Sequence, residues 1–294
     1  CLNDNPESVI KANELCNLYG MDTMAVGGII AFAMECYEHG IITKKDTDGI
    51  ELNWGNGAAV VALTEKIGKR EGFGAVLADG VAKAAERIGK GSEQYAMHVG
   101  GHRLPYHDAR MDASLGTAII ADAQPAHHMD HQGTGTLQAG KPLGADPLLQ
   151  SPKLDPLGDQ DKKGPMYATG AAYSQLLTCG GICALYTTFL AVPVVELLAP
   201  LTGWDMDWAE GLKTGRRILT LRQAFNAREG ITPDKFQMPK RIATEPLKVG
   251  PAAGKIIDFE TGKKSFFEAM GWDIKTGKPS AKTLADLGLD KIIK

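Results

Sequence analysis

A chain of 294 residues with 32 Lys and Arg against 35 Asp and Glu carries a net charge of −3 and can bury one large core or two ordinary ones. It has no basic stripe of the kind that binds nucleic acid, so that partner class is excluded. Five cysteines, at 1, 16, 36, 179 and 183, form no secreted disulfide framework and point to a reducing, cytoplasmic compartment.

In chain order, Asn5-Pro6 reads as a helix entry, with Asn as N-cap and Pro at the first helical position. Val9, Ala12, Leu15, Cys16 and Tyr19 then recur at helical spacing until Gly20 stops them. A second helix is expected over 24–39. Its apolar stretch, 24–34, is too short to cross a bilayer and runs into Glu35, Glu38 and His39, so membrane insertion is not expected. Further helices are expected over 58–70 and 74–89, the latter with Val76, Leu77, Val81, Ala84, Ala85 and Ile88 inward.

Residues 99–164, rich in Gly, Pro, His and Asp, read mainly as loop, with 151–164 a surface or disordered insertion. Helical patterning resumes over 171–180, then 184–198 with a kink before Pro193. It continues over 206–228, amphipathic through Trp208, Leu212, Ile218, Leu219, Leu221 and Phe225. Trp204 and Trp208 read as core and helix-entry packing. Ser280 opens a last helix that Gly288 stops. The chain is mainly α.

Two short runs share one pattern. Asn17-Leu18-Tyr19-Gly20-Met21-Asp22 and Thr178-Cys179-Gly180-Gly181-Ile182-Cys183 both read polar-x-x-Gly-apolar, then Asp or Cys. Either alone is an ordinary Gly-capped helix end, and a lone cysteine at 183 is more often a buried free thiol than a ligand. The pair suggests matching cofactor contacts, since thiolate suits an iron–sulfur cluster and Asp or Asn offers acceptors to ring amines. Separately, residues 125–131, Pro-Ala-His-His-Met-Asp-His, have spacing that allows a metal site through His128, Asp130 and His131, although such loops are more often simply solvated. His102, Arg103, His107, Asp108 and Arg110 line a channel or, for the two arginines, form surface ion pairs.

With these runs in hand, the chain resembles the aldehyde:ferredoxin oxidoreductase family of tungsten-pterin enzymes. The resemblance covers residues 10–23, 31–38, 72–87, 104–128, 202–205, 225–230, 271–273 and 287–289, in family order. It implies two packed helical domains corresponding to the C-terminal part of that fold. Residues 1–97 would be the pterin-contacting domain, and 98–294 the domain with the active-site loop and the cluster-ligand motif. Family members also carry an N-terminal β-rich domain and a C-x2-C-x3-C run, neither of which appears, so the chain is expected to be incomplete at its N-terminus.

By the same resemblance, Asn17, Gly20 and Asp22 with Thr178, Gly181 and Ile182 grip a tungsten (or molybdenum) bis-pyranopterin, with Mg bridging the pterin phosphates. Cys183 is implied as the fourth ligand of a [4Fe–4S] cluster. Asn17 and Thr178 depart from the family's Asp, and Thr178, with only a hydroxyl, departs further. Gly116, Ala118 and Asp122 followed by Pro125 and His128 match the family's active-site stretch, which makes His128 the candidate proton-transfer residue. The family's second acid lies upstream of Cys1. The implied reaction oxidises an aldehyde to a carboxylate and passes electrons to ferredoxin or a small iron–sulfur subunit, in a homodimer or hetero-oligomer. The rivals are a tungsten-dependent aromatic acyl-coenzyme A reductase subunit and a non-catalytic helical scaffold.

Overall fold

The computed structural model describes residues 1–183, 185, 186 and 191–293, Gln132 without its side chain. They form two compact units, Cys1–Pro105 and Tyr106–Lys294. Both are helical, as expected, and the one sheet among the described residues is a two-stranded hairpin.

In the first unit, helix α1 (Pro6–Tyr19) begins as its sequence dictates: Asn5 accepts the Ser8 N–H at 2.9 Å and Pro6 fills the first turn. Helix α2 (Thr23–Glu38) buries Val26, Ile29, Ile30, Phe32, Ala33, Met34 and Cys36, each large aliphatic contributing ~1.5–3 kcal/mol. Helix α3 (Gly57–Lys69) lies against α1 because Gly57 and Gly68 leave room for Ser8 and the Tyr19 ring. The helix expected over 74–89 is two, α4 (Phe73–Leu77) and α5 (Val81–Ile88). Gly80 at φ 90° breaks the register, and Asp79 at the break is gripped by Arg70 and Arg87. Strands β1 (His98–Val99) and β2 (His102–Arg103) pair antiparallel around Gly100-Gly101, both at positive φ, and belong to this unit.

In the second unit, residues expected as loop hold helix α6 (Ala113–Ala121) and helix α7 (Gln132–Gln138). Every residue of α6 is buried, so it shows no amphipathic period. The expected insertion at 151–164 is instead anchored: Leu154 is buried, and the fully buried Lys163 donates to the Pro156 carbonyl at 2.7 Å. Helix α8 (Gln160–Cys179) starts well before the expected residue 171. It passes through Pro165, whose missing N–H leaves the Asp161 carbonyl without its helical donor. The Ser265 hydroxyl supplies that donor.

The helix expected over 184–198 falls partly outside the described residues, at 184 and 187–190. Helix α9 (Val194–Thr202) begins just after Pro193. Helix α10 (Trp208–Arg228) turns Gly211, Gly215, Leu219, Thr220, Gln223 and Ala224 inward, whereas Leu221 and Phe225, expected on the apolar face, are exposed. The face is small because α10 crosses α8 closely: a Cβ on Gly215 would stand 2.0 Å from the Ala172 carbonyl oxygen. Trp208 is buried on Tyr173, but Trp204 is 61% exposed, contrary to expectation, beyond the Gly203 helix stop. The unit continues with α11 (Lys240–Thr244), α12 (Phe259–Met270), which packs on α6 and α8, and α13 (Ala281–Asp286), capped by Ser280.

No single helix among the described residues is long and apolar enough to cross a membrane. Helices α1 and α2 pass such a test only jointly, and they bend by 118°.

Candidate functional site

The two short runs fold into the same turn. In the first unit Gly20, at φ 67°, donates to the Asn17 carbonyl at 3.4 Å, and Met21 donates to the Cys16 carbonyl at 2.8 Å. In the second, Gly181 at φ 77° donates to Thr178 at 3.1 Å, and Ile182 to Leu177 at 3.0 Å. Both are Schellman ends, in which glycine takes the left-handed conformation and the next residue bonds back across the last turn. Met21 and Ile182 each pack on their own unit's core, which fixes the turn's direction. Among the described residues a Cβ on Gly20 or Gly181 would meet nothing within 4 Å, so the glycines answer to φ.

Beyond each turn stands a polar side chain. Asp22 caps α2, accepting the Ala25 N–H at 2.5 Å, and also receives Arg103 at 3.1 Å. Asn17, Asp22, Thr178 and Gly181 are exposed and Ile182 half-buried. Cys179 and Cys183 are exposed free thiols, so Cys183 is not the buried cysteine that its type alone suggests. The residues present fit the implied groups in kind: open glycine backbones flanked by acceptors for ring amines, and an accessible thiol for iron. Among the described residues no three His, Cys, Asp or Glu converge.

The histidine-rich loop lies in the second unit, strapped from two helices. Asp122, buried at the end of α6, accepts from the Tyr167 hydroxyl at 2.8 Å and the Gln124 N–H at 2.8 Å. Asp130, also buried, accepts from Gln175 at 2.7 Å and Arg222 at 3.3 Å. Arg222 reaches on to Gln124 at 3.1 Å, and Asn226 donates to the Ala123 carbonyl at 2.6 Å. Ala126 is held at φ 59°, its N–H bonded to Ile119 at 2.8 Å, a strained backbone for an alanine. Burial, with the repulsion of Asp122, pushes the Asp130 carboxyl up to about 7, against the pull of Arg222.

The three loop histidines diverge. His131 is half-buried, with Nε2 2.7 Å from the Ser114 hydroxyl and 3.8 Å from Asp112. His127 lies 4.0 Å from Asp130, its buried Nδ1 without a hydrogen-bond partner among the described residues. His128 packs its ring on His107, with centroids 5.0 Å apart. Burial pulls His127 and His131 below the usual imidazole value. Among the described residues, His128, Asp130 and His131 do not converge as the metal cluster that spacing alone allowed. Arg103 and Arg110 are ion-paired, with Asp22 and Asp108. Sequence reasoning missed Tyr167, Gln175 and Arg222. Their one signal is a polar residue at an inward position of an otherwise packed helix.

Comparison with known proteins now defines the class, the helical domains 2 and 3 of one protein family. The model of aldehyde ferredoxin oxidoreductase domains 2 and 3 matches residues 1–289, and the chain belongs to that family. Among its relatives, the tungsten-containing aldehyde ferredoxin oxidoreductase of Pyrococcus abyssi is 32% identical over 292 residues, covering 97% of this chain and 46% of that protein. The aliphatic sulfonate oxidoreductase, WOR-like subunit, of Pyrococcus furiosus is 30% identical over 298 residues, covering 97% and 43%. The fold is similar to the active-site complex BamBC of benzoyl coenzyme A reductase with 1,5-dienoyl-CoA, at TM-score 0.72 and 22% identity, over 92% of this chain and 44% of that one. The chain thus spans less than half the length of the relatives it matches.

Proposed function

We propose that this chain is the helical portion of a tungsten-pterin oxidoreductase that oxidises an aldehyde to a carboxylate. The observation that supports this most is the pair of identical turns at 17–22 and 178–183, one in each unit, each followed by an exposed acceptor or thiol. Asn17, Gly20 and Asp22 would hold one pterin and Thr178, Gly181 and Ile182 another, and Cys183 would supply a thiolate to a [4Fe–4S] cluster. When bound, the metal and cluster supply the redox chemistry and the electron exit.

The chain's own part is positioning and proton traffic. Conversion of an aldehyde and water to a carboxylate releases protons, and an imidazole nitrogen accepts one with little change in driving force near neutral pH. The match of 116–128 to the family's active-site stretch makes His128 the loop's proton carrier, while burial pulls its neighbours His127 and His131 below the usual imidazole value. The straps from Tyr167, Gln175 and Arg222 hold the loop that presents it. Ferredoxin or a small iron–sulfur subunit would receive the electrons, and the remainder of the protein would bring the other cluster ligands.

The deciding experiment is metal analysis of the full protein, purified with all chains that accompany it, followed by viologen-coupled assays with aldehydes and with aromatic acyl-coenzyme A. Tungsten or molybdenum, stoichiometric iron and aldehyde-dependent reduction are expected. Acyl-coenzyme A turnover without aldehyde turnover moves the protein to the reductase branch; absence of both metals leaves a scaffold. Cys183→Ala should abolish the cluster's visible absorbance. His128→Ala should keep metal content and lower turnover about 10²–10⁴-fold, and full turnover would remove it from the mechanism.

A further inference from the structure

In the second unit, away from the turn at 178–183, α8, α10, α12 and α13 enclose a groove of about 710 Å³, a volume within the range of small-molecule sites. It opens where small side chains replace large ones. Gly215 draws α10 onto the Ala172 backbone, while Ala168, Ala172 and Ala209 beside that crossing cannot fill the space that diverging helices leave. Leu212 and Leu287 complete apolar walls. Thr169 and Ala172 lie about 9 Å or more along α8 from Thr178, at ~1.5 Å rise per residue, so the groove is separate from the turn.

Two cations line this apolar space without counter-ions. Arg216 donates to the Ala269 carbonyl at 2.6 Å and has no ion pair among the described residues. Lys213, one turn earlier on the same face, has neither hydrogen bond nor ion pair among them. The neighbouring Arg217, by contrast, pairs with Glu210 at 3.2 Å. Asp286, across the groove, lies beyond ion-pair distance of both, leaving one positive charge in excess. A partly buried guanidinium beside an apolar wall lacks a planar anion, and a carboxylate satisfies its fork.

We infer that this groove binds a small carboxylate with an apolar body, the carboxylate against Arg216 and Lys213 and the body against Ala168, Ala172 and Leu212. The site stands independently of the proposed redox function, since it uses none of its residues. Benzoate and hexanoate titrated calorimetrically into the full protein distinguish an aromatic from an aliphatic body, with benzamide, hexanamide and inorganic phosphate as controls.

Saturable binding of one acid, with the amides and phosphate at least about tenfold weaker, is expected. Lys213→Gln, which breaks no bond in the fold, and Arg216→Gln should each weaken it about tenfold. Should neither acid bind saturably, or should Lys213→Gln and Arg216→Gln leave affinity unchanged, the assignment falls. Phosphate binding as tightly as the acids would reduce the groove to a plain anion site and overturn it equally.

Discussion

Asp130 is held where a carboxylate is least at ease, behind Gln175 and Arg222 and near a second buried acid. Its native value of about 7 lies above the ordinary ~3.9, so between those limits the folded protein holds more protons than the unfolded chain. Stability contributed by this group is therefore full at low pH and declines as pH rises through about 7. Asp130→Asn imitates the protonated acid and keeps an acceptor for Gln175. Its melting temperature should exceed the parent's by roughly a few degrees at pH 8 and match it near pH 4. An equal difference at both pH values would trace the effect to packing. At this scale the sequence showed the chemistry-bearing residues that stand in short runs, 17–22, 178–183 and 125–131. It could not show Tyr167, Gln175 or Arg222, because each meets its carboxylate from a distant helix and no local spacing records the meeting.

Helix α8 illustrates how elements depart from local rules. A proline in its sixth position should shorten it, and propensity alone penalises it by ~3 kcal/mol. Ser265, from α12, repairs the orphaned Asp161 carbonyl. Ser265→Ala should cost about 0.5–1.5 kcal/mol in urea unfolding, the net worth of one intramolecular hydrogen bond. In a Pro165→Ala background the restored N–H should reduce that loss, and a double-mutant cycle reads the coupling. Additive losses would mean that the hydroxyl serves packing instead. Gly215→Ala belongs to the same scale: its Cβ meets the Ala172 carbonyl, and a loss of at least about 1–3 kcal/mol is expected. Caps were legible in sequence, as at Asn5, Gly20 and Ser280. The start of α8 and the existence of α6 were not, since one depends on a donor about a hundred residues away and the other is buried all round.

Across the whole molecule, the two turns lie in different units, 1–105 and 106–294, and they differ chiefly in ending in Asp22 and in Cys183. On the proposed reading Thr178 faces a pterin with only a hydroxyl, where a carboxylate would accept from ring amines more strongly, so Thr178→Asp should raise pterin retained per metal through gel filtration of the assembled protein. Unchanged retention would show that the hydroxyl position does not face a pterin. The mainly helical character was plain from composition and period, whereas the subdivision of 74–89 and the order within 99–164 depend on tertiary cover. That cover also sets a schedule for biogenesis. Helix α6 has no wet face, and Gly116 packs against Phe259, far downstream. A ribosome adding about 5–20 residues per second leaves the nine-residue helix uncovered for roughly ten to thirty seconds, a window in which nascent-chain chaperones or self-association compete for it.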